Sequence, residues 1–93
     1  MVDGALGALV VHTPPRLHHT ALEIHAAGTP WTGDHTAVHA RRDDERVRFE
    51  GVFSRLDPGA YELRVLGSAT GVVVPFVIRP GVVVETWLDA PVD

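Results

Sequence analysis

Six histidines, His12, His18, His19, His25, His35 and His39, lie within the first 39 positions of this 93-residue chain. Imidazole is a common metal ligand and an acid–base group near neutral pH. The pair His35 and His39 in DHTAVHA raises metal chemistry most directly, because side chains four apart share one face of a helix and can grip one ion. The helix fails its own pattern. Counted from Val38, it asks for apolar residues at positions that hold Arg41, Arg42 and Glu45, and Asp34 as a helix cap is its sole local support. On a strand the two histidines share a face but stand about 13 Å apart, at about 3.3 Å per residue. Metal–nitrogen bonds of about 2.0–2.1 Å cannot bridge that gap. A transition-metal site must then collect ligands from separate elements, and His12, His18 and His35 are its candidates.

Other chemistry is sparse. There is no cysteine, so thiolate catalysis and disulfides are excluded. The two serines, Ser54 and Ser68, lack the flanking glycines of a nucleophile elbow, and Ser68 reads as turn chemistry. No glycine-rich phosphate loop opens a helix. RRDDER (41–46) holds acids suited to a hard cation but lacks the spacing of a calcium loop, and reads as a solvated hairpin tip. In AAGTPWTGDH (26–35), Trp31 stands outside any strand pattern beside Thr32 and Asp34. A loop tryptophan there either folds over the end of the core or anchors a partner. Trp87 sits within a strand and reads as core or sheet face. All eight basic residues are arginine and the net charge is −4, which disfavours nucleic acid as a partner.

These residues need elements to hold them, and the punctuation is that of a β-protein. Valine dominates the apolar set, and β-branched residues favour strands. Seven strands are expected, at 8–13, 20–26, 35–41, 46–54, 60–66, 72–79 and 82–88, with no helical stripe. Leu22 and Ile24 alternate with Glu23 and His25; Tyr61, Leu63 and Val65 alternate with Glu62 and Arg64. Val47, Phe49 and Phe53 share one face of their strand. The strands at 35–41 and 46–54 form a hairpin around a four-residue loop, RDDE (42–45), pairing Arg41 with Arg46, Val38 with Phe49 and His39 with Arg48. DPG (57–59) and RPG (79–81) are turns in which glycine permits positive φ. Pro75 marks an edge strand or a bulge. The fold class is an all-β, seven-stranded antiparallel sandwich, transthyretin-like or immunoglobulin-like, in a single domain of 1–93.

FSRLDPGAYELRV (53–65) resembles the F-x-x-L-x-P-G-x-Y-x-L-x-V segment of transthyretin-like sandwiches, the carboxypeptidase regulatory-like or prealbumin-like domains also found in many bacterial surface proteins. The resemblance implies that Leu56 and Tyr61 plug one end of the sandwich, and that the module serves as an accessory or interaction domain. The hydroxyisourate hydrolases share that fold but carry a Tyr-Arg-Gly-Ser motif at the C-terminus, where this chain reads ETWLDAPVD, so their activity is not carried over.

The strands at 72–79 and 82–88 are apolar at both parities, whereas a sheet face in water should alternate. Val73 and Val83 are therefore placed on a surface that another protein, or a second copy, covers. The leading expectation is a non-catalytic, self-associating protein-interaction module without a cofactor. The alternative is a small-ligand or divalent-metal binder using the N-terminal histidines, and a hydrolase ranks third. With no signal-peptide pattern and no apolar run of about 18 residues, a cytoplasmic protein without membrane contact is expected.

Overall fold

The computed structural model describes residues 5–66 and 73–88. Ser68 and the first residue of the expected strand 72–79 lie outside the described residues. The fold is an all-β sandwich of two four-stranded sheets. The strands are β1 (Gly7–Thr13), β2 (Ala21–Ala26), β3 (His35–Ala37), β4 (His39–Asp43), β5 (Arg46–Leu56), β6 (Gly59–Val65), β7 (Val73–Ile78) and β8 (Val83–Trp87). A 3-10 turn at Pro15–Leu17 is the sole helical element among the described residues, and none of their helices is long and apolar enough to cross a membrane. Sheet A has the order β4-β5-β1-β8, and sheet B the order β3-β2-β6-β7.

The inward parities close the core. Leu9 and Val11 of sheet A meet Leu22, Ile24 and Leu63 of sheet B, all at most 2% exposed. Truncating one such leucine to alanine costs about 2–5 kcal/mol through lost transfer energy and a residual cavity. Leu56 and Tyr61 are partly buried and pack against the core. Tyr61 also donates its hydroxyl to the carbonyl of Asp57 at 2.7 Å, tying β6 back to the turn it leaves. Both Pro-Gly turns use positive φ, +143° at Gly59 and +69° at Gly81. Gly7 is needed for another reason. A Cβ there would lie 2.6 Å from the Arg79 carbonyl oxygen, so the bend between β7 and β8 crosses β1 only because no side chain stands in its way.

Four expectations are corrected. The strand expected over 35–41 is two strands, on different sheets. Val38 makes the switch. Its N–H bonds to the Thr20 carbonyl at 2.9 Å and its carbonyl accepts from His19 at 3.0 Å, so its backbone leaves the ladder while its side chain enters the core. The hairpin then closes on a two-residue turn rather than four: Asp43 pairs with Arg46, and His39 faces Glu50, not Arg48. Asp44 takes the left-handed conformation, φ +56°, which aspartate tolerates, and the charged residues extend the ladder instead of forming its loop. One pair departs from the antiparallel scheme, because β1 and β8 run parallel. Finally, the strands bearing Val73 and Val83 do not form one surface. Each ends a different sheet, and the chain crosses between the sheets in the bend from Arg79 to Val82.

Candidate functional site

The two outer faces hold the polar chemistry. On sheet B, the outward residues of β2 and β6 lie opposite one another as Glu23 with Arg64 and His25 with Glu62. Alternation alone assigns these four to solvent, yet Glu23 is 4% and His25 7% exposed. The cover is the loop 27–34, through Trp31. The imidazole of His25 stacks on the indole at 3.7 Å between centroids, and the Arg64 guanidinium lies 3.9 Å from the same centroid. Two groups so close to one ring centre must occupy opposite faces. Trp31 is thus clamped between imidazole and guanidinium, a stacked cation–π arrangement.

Each outer layer of this stack is held by a carboxylate. Arg64 donates from Nε and Nη2 to Oε1 of Glu23 at 2.8 and 2.7 Å. The second oxygen of Glu23 accepts from the Gly33 N–H at 3.1 Å. Nε2 of His25 bonds to Glu62 at 2.7 Å, and Nδ1 to the Thr29 carbonyl at 2.6 Å. Both ring nitrogens therefore have a partner. Among the described residues no buried side-chain nitrogen or oxygen lacks a partner, as the high cost of an unmade buried bond requires. Trp31 therefore fastens its own loop and offers no free ring face. Thr32 and Asp34 are exposed on that loop, where the Asp34 carbonyl accepts from the Ile24 N–H at 3.0 Å. Burial, then the negative charges of Asp57 and Asp34, push the nearby Tyr61 hydroxyl above its ordinary range, which keeps it a donor.

Sheet A presents a related set of groups in the open. Across its outer face His39, Glu50, His12 and Trp87 stand in one row of paired positions. His12 bonds through Nε2 to Glu85 at 2.7 Å, and Arg41 donates to Glu50 at 3.0 Å. The His12 ring stacks against Trp87 at 4.8 Å, but Trp87 is 70% exposed. It is neither core nor covered. Two shallow grooves of about 440 and 480 Å³ adjoin His12 and share Arg48 and Glu85 in their walls.

The candidate metal ligands are not brought together. His12 belongs to the outer face of sheet A, while His35 pairs with Glu23 at the edge of sheet B and turns Nδ1 to the Gly33 carbonyl at 2.8 Å. His18 stacks on His19 at 3.7 Å and meets the edge of Phe49. No group of three or more His, Asp or Glu among the described residues is arranged to hold a metal ion.

Val73 and Val83 are exposed, at the rims of sheets B and A. Sequence reasoning read Trp87 as core or sheet face and Arg64 as facing outward, and assigned neither, nor Glu85, to a site. A signal for Arg64 and Glu62 was present, since they face outward opposite the acid and histidine of another strand, but it needs the pairing of β2 with β6. Compared with family models, curated protein sequences and solved structures, the chain matches none.

Proposed function

We propose that this chain is a non-catalytic protein-interaction module that takes up an extended segment along the free edge of β8. A sheet edge is a template for another strand unless it is blunted. Three of the four edges here are. β3 has three residues. β4 reads HARRD and is exposed throughout, with charge along its length. β7 carries Pro75 at its middle, which removes a donor. β8 reads VVETW: it is longer than β3, has no proline and carries a single charge, Glu85.

The carrying observation is the direction of its backbone. The Ala8 N–H bonds to the Val82 carbonyl and the Leu88 N–H to the His12 carbonyl. In a parallel ladder the bonding residues alternate, so Val84 and Thr86 spend their groups on β1. Val83, Glu85 and Trp87 turn theirs outward, and they have no strand partner among the described residues. Exposed valine and tryptophan beside those groups suit a strand that docks and leaves its side chains on the outer face. The resemblance of 53–65 to transthyretin-like sandwiches is supported by Leu56 and Tyr61 packing against the core.

Hydrogen exchange at Val83, Glu85 and Trp87 tests this, read at rising protein concentration and against a panel of extended peptides. Protection of these amides is expected, and Val83→Pro, which removes an outward donor but no bond to β1, should abolish it. A chain that stays monomeric by light scattering and protects no β8 amide with any peptide lacks the proposed function.

A further inference from the structure

Resting on that reading, we infer that the segment added to β8 carries an arginine, whose guanidinium lies over the open face of Trp87 and bonds to Glu85. The molecule already builds this arrangement once. On sheet B the order of layers is imidazole, indole, guanidinium, with the arginine opposite a glutamate on the neighbouring strand. On sheet A the imidazole of His12 and the indole of Trp87 are in place, and Glu85 lies two residues before Trp87 on the same face. The third layer is missing among the described residues.

The open ring face points where a docked strand would lie. His12 sits on β1, directly opposite Trp87, and takes the face turned toward β1. The opposite face therefore turns toward the free side of β8. Glu85 gives Oε1 to His12 on the β1 side, and with its side chain 52% exposed its second oxygen is left for a donor arriving over Trp87. Arg46 and Arg48, which would repel an incoming cation, stand on β5. That strand lies three spacings, about 14 Å, from an added strand, and the two arginine side chains line the groove on the β1 side of Glu85 and Trp87. The backbone groups of Val83, Glu85 and Trp87 supply the sequence-independent bonds, and the glutamate and indole select the side chain.

A second β8 is the poorer occupant. It brings no cation, and antiparallel pairing of Val83 with Trp87 of the second copy would set two Glu85 carboxylates face to face, an unfavourable cross-strand pair.

The test uses the full chain and a set of labelled seven-residue peptides of alternating threonine and valine, with arginine, citrulline, leucine or glutamate at the centre. The arginine peptide is expected to bind about tenfold more tightly than the leucine peptide, as a partly desolvated cation–π contact plus an ion pair allows, with citrulline near leucine and glutamate weakest. Trp87→Leu and Glu85→Gln should each erase most of the preference while leaving the weak backbone-driven binding. Both side chains are exposed, and an unchanged thermal melt verifies the fold. Equal binding of all four peptides, or of arginine and citrulline, overturns the inference and leaves the strand-docking reading intact. Absence of binding by every peptide overturns both. Concentration-dependent growth in mass that the arginine peptide cannot compete away overturns the inference in favour of a second copy.

Discussion

The two outer faces of the sandwich carry the same three groups: a histidine, a tryptophan stacked on it, and a glutamate bonded to its Nε2. On sheet B the far side of the indole is filled by Arg64, and His25 and Glu23 are buried beneath it. On sheet A no described residue covers the far side, and the ring is 70% exposed. The difference shows how one constellation serves two ends. Completed within the chain, it fastens a loop; left one layer short at the β8 edge, it exposes an indole face, where we propose that an arginine docks. Residue type alone does not separate the two uses; the cation does.

Substitutions can break this comparison or sharpen it. The largest effect is expected from Arg64→Leu, which leaves the buried Glu23 carboxylate with only the Gly33 N–H; a loss of about 3 kcal/mol in denaturant unfolding follows. Arg48→Leu is its counterpart on sheet A. It removes only an exposed pair with Asp43 at 3.8 Å and should cost less than about 0.5 kcal/mol. Next, Trp31→Ala should cost about 2 kcal/mol and open the loop 27–34 to proteolysis, whereas Trp87→Ala should leave the melt within about 0.5 kcal/mol. Similar losses for the two tryptophans would erase the distinction between latch and surface.

The smallest effect concerns Tyr61 beneath the sheet B loop. Its folded pKa is raised, so its contribution is fully present below the unfolded tyrosine value of about 10 and is lost as pH rises through the folded value. Wild type should therefore lose stability in alkaline melts above about pH 10 more steeply than Tyr61→Phe. Parallel curves would show that the hydroxyl does not titrate differently on folding.

The strands at 20–26 and 60–66 were legible because both alternate without interruption, and their inward residues Leu22, Ile24 and Leu63 are the core. The Pro-Gly turns were legible because glycine at positive φ has a local cause. The break at Val38 was not, since its backbone is diverted by residues 19–20, which adjacent sequence does not announce. Nor was the clamp on Trp31. A loop tryptophan can be free or covered, and what covers this one comes in part from Arg64, 33 positions away. The site on sheet A was hidden for the same reason: His12 and Glu85 meet across 73 positions. Local pattern reports which face a residue turns to; it is silent on who stands opposite.

The parallel pairing of β1 with β8 has a consequence for the order of events during synthesis. β1 is an inner strand, flanked by β5 and β8, yet both neighbours are made long after it. Bringing such distant segments together carries the loop-closure penalty that slows folding. While the chain is growing, LVV at 9–11 can pair on one side once β5 is made, but its other side stays open until residues up to Trp87 exist. Sheet B needs only residues up to 78, so it can form first and leave sheet A, with its β8 edge, to be completed last.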